Sequence, residues 1–486
     1  MGILFIEGES MSFSSLFFLF FFLPVFLLVY HKAAGLRKKN LVLLAASLIF
    51  YCWGGIRYLL LLLAMTAVGW MSGLQIVKYP KGDRQRKFWM ILSVAVFLAV
   101  LGIFKYTGFF LGTFGALFHL KGPVGEIALP LGISFYTFKL ISYTVDVYRE
   151  ETEPEESYWM LLLYTSIFHQ CTQGPIVRYR DMQAELRERK VTYSGFLEGM
   201  LRFCVGLGKK AILADHCGEL ASAFLPLDGN VASVPAASVW LGSLCYMLQI
   251  YLDFSAYSDM ALGLGRMAGF HYPENFNYPY MAVSVKDFWK RWHISLSTFF
   301  RDYVYIPLGG SRCSLRRTTL NLLAVWALTG LWHGASWNFV LWGIYYFGFI
   351  VLENYWRRIG FQMRPALARL YTLAVVFFGW IFFRFEDFGK MGQAFKGLLG
   401  LNGNGFGSTV TVLTLKNNLF FLAVAILAVT PVIQAVAEYA ASYAKSRRQS
   451  GAVIQGIAVA ASAVLLIVSV MMLAGSSYTP FLYNQF

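Results

Sequence analysis

Apolar stretches long enough to cross a lipid bilayer follow one another along almost the whole chain. A helical crossing needs about 20 consecutive apolar residues. The clear candidates are 13–30, 40–56, 58–77, 88–105, 128–147, 158–177, 236–254, 336–356, 367–383, 418–437 and 453–473, and the weaker ones are 107–118, 195–215 and 320–332. No soluble domain or fixed-period repeat interrupts them. The pattern predicts an all-α polytopic membrane protein with a single membrane domain over residues 1–486.

Charged residues are too scarce for a soluble protein of this size. They make up 14% of the 486 residues, while 57% are hydrophobic, and an ordinary globular chain has about 25% charged residues. The apolar content also excludes disorder. The 41 Lys and Arg outnumber the 26 Asp and Glu, giving a net charge of +15. Nucleic-acid binding would need a basic face on a soluble domain, so we expect cytoplasmic basic loops and no nucleic acid.

The loops predict an orientation in the plasma membrane. Short basic loops lie at 31–39, 78–87 and 178–190, and an acidic loop lies at 149–156. Because basic loops stay cytoplasmic, the N-terminus is expected outside; the natural start is either Met1 or Met11. With 107–118 counted as a separate crossing, the acidic loop lies outside too. The last span then leaves an extracytoplasmic tail, 474–486, so both termini are expected outside the cell.

The sequence contains no pattern typical of a metal or cofactor site. Its six cysteines are scattered, without a C-x-x-C pair or a histidine at zinc spacing, which is typical of small buried residues. We therefore expect no bound metal and no bound cofactor. No serine or cysteine motif indicates a side-chain nucleophile.

The stretch 255–320 interrupts the apolar pattern with charge, aromatic residues, glycine and proline. Between 286 and 317 seven residues are basic and two are acidic. Irregular backbone cannot face lipid, so this stretch is expected to form a cytoplasmic or re-entrant polar floor. Its aromatic and basic mixture also suits an interfacial helix. The alternative is a basic loop that only sets the topology.

His333 follows this stretch and lies between two apolar halves, flanked by Gly330 and Gly334. If 320–332 rises from the cytoplasmic side and 336–356 returns, His333 lies deep in the membrane at the turn. An ionisable residue at that depth is a candidate functional site. Burial favours neutral imidazole, which is suited to a general base. The alternative is a structural histidine bonded to a helix carbonyl.

Long motifs now identify a family. The stretches are FKYTGFF at 104–110, LPLGISFYTF at 129–138, QGPIVRY at 173–179, QIYLDFSAYSDMALGLGRMAGF at 249–270, PENFNYPY at 273–280, FWKRWHISLSTFFRDYVYIPLGGSR at 288–312 and GLWHGASWNFVLWG at 330–343. Over nearly its whole length the chain resembles the membrane-bound O-acyltransferases. It is most similar to the branch that O-acetylates polysaccharides such as alginate. One departure is His169, where relatives usually have proline.

The resemblance implies a ring of tilted helices with a thin centre and a tunnel through the membrane. His333 matches the catalytic histidine of the family, and His293 matches its second histidine. The substrate or tunnel residues expected from these motifs and from the basic floor are Trp332, Asn338, Lys290, Arg291, Arg301, Asp302 and Gln173. The basic members of this set, with Lys286, are expected to pair the phosphates of an acyl donor.

The C-terminal tail carries a second motif. Phe481-x-Tyr483-x-x-Phe486 resembles an aromatic tail found in small partner proteins of teichoic acid D-alanylation, in which the tyrosine is thought to carry the acyl group. Tyr483 is therefore a possible acyl relay. An aromatic belt at the membrane interface is the alternative interpretation.

The resemblance predicts an acyltransferase that moves an acetyl group from a cytoplasmic thioester to a hydroxyl acceptor, for O-acetylation of an extracellular or cell-wall polysaccharide. The expected donor is acetyl-CoA or an acyl-carrier thioester. Expected partners are membrane lipids, an extracytoplasmic SGNH-type acetyltransferase or small partner protein, and a cytoplasmic acyl carrier protein. The alternatives are D-alanyl transfer to teichoic acid and, in a different class, a lipid or sugar transporter, although no repeated broken helix supports a transporter.

Overall fold

The computed structural model describes residues 11–118, 127–446, 451–475 and 481–482. Within these residues all regular secondary structure is helical, which confirms the all-α prediction. The α-helices of the first half are α1 Leu23–Lys32, α2 Leu36–Trp53, α3 Ile56–Ile76, α4 Arg84–Phe118, α5 Ile133–Arg149, α6 Tyr158–Ser166, α7 Tyr179–Glu188, α8 Tyr193–Gly208 and α9 Asp215–Phe224. Those of the second half are α10 Ala236–Met267, α11 Val285–Arg291, α12 Ile294–Phe300, α13 Leu315–His333, α14 Trp337–Arg358, α15 Pro365–Arg384, α16 Phe388–Leu398, α17 Thr409–Ala428, α18 Val432–Ser446 and α19 Gly451–Gly475.

Contacts divide the chain into two compact units. The first takes the chain up to Phe203 together with Met260–Pro273, and the second takes Cys204–Asp259 together with the chain from Glu274 onward. The single membrane domain expected from the sequence stays a prediction. His293 and His333 both belong to the second unit.

Five helices among the described residues are long and apolar enough to cross a membrane: Ile56–Ile76, Arg84–Phe118, Pro365–Arg384, Thr409–Ala428 and Gln455–Gly475. The predicted span 418–437 is displaced, because the side chain of Ser408 caps α17 from Thr409 and Pro431 follows its end. Proline removes a backbone donor and clashes with the preceding turn. The helix therefore ends before Pro431 and a new one begins at Val432.

The predicted position of the acidic loop is wrong. The predicted spans 88–105 and 107–118 form one continuous helix, α4, which is about 50 Å long at the usual rise per residue. With one crossing fewer, the acidic loop comes to the same side as the basic loop 78–87. The ion pairs agree, because Glu150 lies 3.0 Å from Lys81 and 3.1 Å from Arg86.

The polar stretch begins later than the sequence suggested. Helix α10 continues through 255–267 instead of ending at 254. Ser255 and Ser258 are buried within it, and the Ser255 hydroxyl donates to the carbonyl oxygen of Leu252 at 3.3 Å. Because a helix satisfies its own backbone, short polar side chains can continue it. Irregular backbone starts only after Met267.

Candidate active site

The chain turns sharply at His293, between the two short helices α11 and α12. Its backbone is left-handed, with φ of 43°, a conformation that costs a bulky residue on the order of 1–3 kcal/mol and recurs at functional sites. Two backbone hydrogen bonds hold the turn. Ile294 N–H donates to Asn275 C=O, and Asn277 N–H donates to Arg291 C=O, both at 2.9 Å. The preceding loop therefore fixes the place of His293.

His333 is the last residue of α13, at the turn of the hairpin formed by α13 and α14, as predicted. The two helices approach closely at Gly330, where an added Cβ would meet the carbonyl oxygen of Phe339 at 2.3 Å. Only glycine allows backbones this near. The His333 side chain is buried at 3% exposure. Its ring centroid lies 4.9 Å from those of both Trp332 and Trp342.

Both histidines line one cavity of about 440 Å³ in the second unit. The indole ring of Trp332 packs near both, with its centroid 5.9 Å from that of His293 and 4.9 Å from that of His333, although Trp332 is not among the lining residues. The other lining residues are Lys286, Trp289, Lys290, Trp292, Ile294, Leu296, Ser297, Thr298, Phe300, Arg301, Leu322, Val325, Trp326, Thr329 and Ile350. The lining is thus mainly apolar and aromatic, with three cationic side chains.

These three cations are Lys286, Lys290 and Arg301, and all of them are exposed. Burial lowers the pKa of Lys286, and the neighbouring charges of Arg357 and Lys290 lower it further. The smaller part of this lowering, from Arg357 and Lys290, shows that positive charges lie close together here, although Glu353 opposes it. An anionic group at the cavity would relieve that repulsion.

Two other predicted residues are engaged with nearby partners. Arg291 is absent from the cavity lining and forms an ion pair with Asp287 at 3.0 Å, one helical turn away. Asp302 also lies outside the lining and pairs with Arg301 at 2.6 Å. Arg301 therefore reaches the cavity with part of its charge compensated, whereas Arg291 is oriented toward its own helix.

The remaining predicted residues lie elsewhere. Asn338 is fully buried and donates through Nδ2 to the carbonyl oxygen of Phe382 at 3.2 Å. Gln173 is buried in the first unit. Tyr483 lies outside the described residues.

The two described tail residues, Phe481 and Leu482, pack within the second unit. Phe481 is fully buried, with its ring 4.7 Å from the Lys210 ammonium and 5.2 Å from the ring of Tyr257. The backbone N–H of Leu482 donates to Asp253 Oδ2 at 2.7 Å. Asp253 is itself 2.9 Å from Lys210. A buried ion pair therefore anchors the chain just before Tyr483.

Glu353 is a residue whose importance the sequence interpretation missed. Its carboxylate accepts hydrogen bonds from the backbone N–H groups of Val285 at 2.6 Å and Lys286 at 3.1 Å. It thereby fixes the first turn of α11, the helix that carries two of the cavity cations. A signal was present, because Glu353 is the only acidic residue in the apolar stretch 336–356, and such residues are rarely placed without a partner.

Similarity to known proteins extends over the part of the chain that forms this cavity. The model of the membrane-bound O-acyltransferase family matches residues 156–385, which include both histidines and the whole cavity lining. A probable alginate O-acetylase from Azotobacter vinelandii is 37% identical over 98% of this chain and 100% of the relative. The chain belongs to the membrane-bound O-acyltransferase family. It is therefore a multi-pass membrane acyltransferase, and the predicted resemblance is confirmed.

Two further relatives separate the branches of this family. A peptidoglycan O-acetyltransferase from Helicobacter pylori is 32% identical, with 80% of each chain covered. A teichoic acid D-alanyltransferase from Bacillus subtilis is 27% identical, with 53% of this chain and 67% of the relative covered. The similarity to the O-acetylating relatives is thus higher and longer. An acyltransferase family also leaves the transporter alternative without support.

Proposed function

We propose that this protein transfers an acetyl group from a cytoplasmic thioester across the membrane to a hydroxyl acceptor, for O-acetylation of an extracellular or cell-wall polysaccharide. The observation that carries the proposal is the cavity itself, because it brings His293 and His333 together with three cationic side chains. The names of the nearer relatives, an alginate O-acetylase and a peptidoglycan O-acetyltransferase, support a polysaccharide acceptor.

The cationic side chains are suited to the donor. Acetyl-CoA carries phosphates, and an acyl carrier protein presents its thioester through a phosphate-linked arm, so either donor offers an anion to Lys286, Lys290 and Arg301. Charge-assisted hydrogen bonds to phosphate are among the stronger polar contacts. The apolar part of the cavity then receives the acyl end of the arm.

His333 acts as the general base in this proposal. One of its ring nitrogens takes the proton of the acceptor hydroxyl while the oxygen attacks the thioester carbonyl. The new C–O bond forms, the C–S bond breaks, and the leaving thiolate receives the proton from the imidazolium. Positioned general bases contribute roughly 10²–10⁴ in rate.

The oxyanion of this reaction needs a hydrogen-bond donor. Trp342 is our candidate, because it packs against His333, although it is not among the residues that line the cavity. Its ring is fully buried 4.9 Å from the ring of His333. Within the described residues its indole N–H has no hydrogen-bond partner. A preorganised donor in a dry site stabilises developing negative charge at little reorganisation cost.

The test is the acetyl ester content of surface polysaccharide, measured by mass spectrometry in strains with and without the gene. We expect loss of acetyl ester in the deletion strain and in a His333→Ala strain with normal protein level. His216→Ala is the matched control, because His216 lies in the same unit, contacts Asn418 at 2.7 Å and does not line the cavity. Unchanged acetylation in His333→Ala refutes the catalytic role, and loss of D-alanyl ester instead of acetyl ester identifies the other branch.

The proposal includes an acyl relay at Tyr483. The anchor of Leu482 on Asp253 supports it, because Phe254, the next residue on α10, packs edge-on against His293 with ring centroids 4.8 Å apart. Tyr483→Phe is expected to abolish transfer, whereas Tyr478→Phe, which removes another phenol from the same tail, is expected to be silent. Retained transfer in Tyr483→Phe assigns the tail a packing role alone. An extracytoplasmic SGNH-type acetyltransferase or small partner protein would then take the acetyl group to the polymer, and co-purification tests that step.

A further inference from the structure

The side chain of Asn275 lies against His293 in the interior of the second unit. It is fully buried. Its Oδ1 lies 3.2 Å from His293 Nδ1, 3.2 Å from the backbone nitrogen of Ser295 and 2.8 Å from the Ser295 hydroxyl oxygen. One amide oxygen thus collects three contacts, one from His293 at the strained turn and two from Ser295, two residues later.

The contact with Ser295 N–H fixes which atom of the amide faces this turn. A backbone N–H can only donate, so the atom opposite it must be the amide oxygen. A flipped amide would place its NH₂ group against that N–H, and two donors repel. The Ser295 hydroxyl oxygen also lies 3.4 Å from His293 Nδ1, but its hydrogen is donated to Asn275 Oδ1 over the shorter distance of 2.8 Å. Asn275 Oδ1 can only accept, so His293 Nδ1, which faces the same oxygen, carries a hydrogen.

The opposite ring nitrogen is left with a lone pair. Burial lowers the pKa of His293 to about 3, so its imidazole is neutral and carries a single N–H. Nε2 is buried and has no hydrogen-bond partner among the described residues. The rings of Phe254, at 4.8 Å, and Trp332, at 5.9 Å, restrict rotation of the imidazole.

We propose that Asn275 is a positioning residue that fixes the Nδ1–H tautomer of His293, so that His293 accepts a hydrogen bond from the substrate through Nε2. In this tautomer Nε2 cannot donate to the thioester carbonyl oxygen. Its partner in the cavity is an N–H or O–H of the substrate, such as an amide of the donor arm or the acceptor hydroxyl. The role of His293 toward the substrate rests on the proposed acyl transfer. The tautomer does not, because it is a property of the protein without substrate.

Nitrogen-15 NMR of the purified full-length protein with labelled histidine measures the tautomer directly. The His293 signals are assigned by their loss in His293→Asn, since the chain has seven histidines. We expect a protonated Nδ1 and an unprotonated Nε2. The opposite pattern, or a doubly protonated ring near neutral pH, overturns the proposal. Because this measurement needs no turnover, it stands even if the acetyl-transfer assignment fails.

Three variants then connect the tautomer to the reaction. Asn275→Leu keeps the approximate volume and removes the acceptor, and we expect kcat to fall about 10- to 100-fold, as for loss of a buried hydrogen bond, with a mixed tautomer signal. Asn275→Asp, assayed on the alkaline side, restores an acceptor, and its carboxylate should recover both the tautomer and most of kcat. Ser295→Ala removes the other side-chain donor to the same oxygen and should leave kcat within about 2-fold of the wild type.

Comparing these variants distinguishes a positioning role of Asn275 from a role in folding. If Asn275→Leu and Asn275→Asp lose activity equally while the NMR tautomer is unchanged, Asn275 does not act through His293 and the proposal fails. If Asn275→Leu keeps the wild-type kcat, it fails as well. A thermal unfolding midpoint in detergent for each variant shows whether a lost kcat reflects loss of the fold, and rescue by Asn275→Asp supports the positioning role.

Discussion

Replacing Gly330 by alanine should move His333, the proposed general base, without changing the histidine itself. An added Cβ would lie 2.3 Å from the carbonyl oxygen of Phe339, 3.0 Å from its carbonyl carbon and 3.2 Å from the Cα of Val340. All three atoms belong to the backbone of α14, so no side chain can rotate away. Ordinary van der Waals contact begins near 3.4 Å, and the hairpin must therefore open by about 1 Å at this point.

His333 lies one helical turn beyond Gly330, at the end of the same helix. A displacement of about 1 Å at a reacting group can cost 10²-fold in rate, so we expect kcat to fall about 100-fold. Overpacking costs about 1–3 kcal/mol, while alanine in place of glycine in a helix returns about 1 kcal/mol. The net loss of stability should thus be small, about 0–2 kcal/mol, and the loss of activity should be far larger than the loss of folded protein.

The assay is acetyl transfer by the purified protein, beside the unfolding midpoint in detergent. Gly348→Ala is the matched control, because Gly348 lies on α14 and an added Cβ there meets nothing within 4 Å. Gly343→Ala is an independent repeat, since its Cβ would lie 2.3 Å from the carbonyl oxygen of Trp326 on α13. The reasoning is refuted if Gly330→Ala and Gly348→Ala transfer acetyl groups at the same rate.

Three further outcomes are expected. Glu353→Ala should lower the free energy of unfolding by about 1.5–3 kcal/mol, measured by thermal unfolding, because the N–H groups of Val285 and Lys286 lose their charged acceptor; an unchanged midpoint would argue against this cap. Lys290→Gln should raise KM for the donor several-fold at low salt and less at high salt, since salt screens exposed charges; a salt-independent KM would contradict electrostatic docking. Phe481→Ala should lower acetyl transfer, because it removes a fully buried ring that packs beside Lys210. The measurement is acetyl ester on surface polysaccharide, and wild-type levels would show that this contact is not needed for transfer.

Much of the architecture was predictable because it depends on local composition. Scarcity of charge and runs of apolar residues indicate helices in a membrane, since only helices satisfy their own backbone there. The break around His333 was predictable for the same reason, because two apolar halves separated by a polar residue and glycines form a hairpin. The boundaries of the spans were less predictable. Helices α4 and α10 continue through polar residues that lower the local hydropathy and therefore look like the end of a span.

The side of the membrane on which the acidic loop lies could not be predicted from local sequence patterns. Its position depends on a count of crossings, so one misjudged helix reverses it. The ion pairs of Glu150 with Lys81 and Arg86 join residues more than 60 positions apart, and such pairings exist only in the folded chain.

The candidate active site also combines features that the sequence predicts with features that only folding decides. The sequence by itself determined the membrane location and the helical fold, because hydrophobicity can be read along the chain. Its resemblance to family motifs singled out the two histidines. Tertiary structure alone decided that Lys286 and Lys290 face the cavity and that Glu353 of α14 accepts hydrogen bonds from the first turn of α11. It alone set the oxygen of Asn275 against His293. The physical reason is that a hydrogen bond depends on direction as well as distance, and the directions of side chains from separate segments are fixed only when those segments pack.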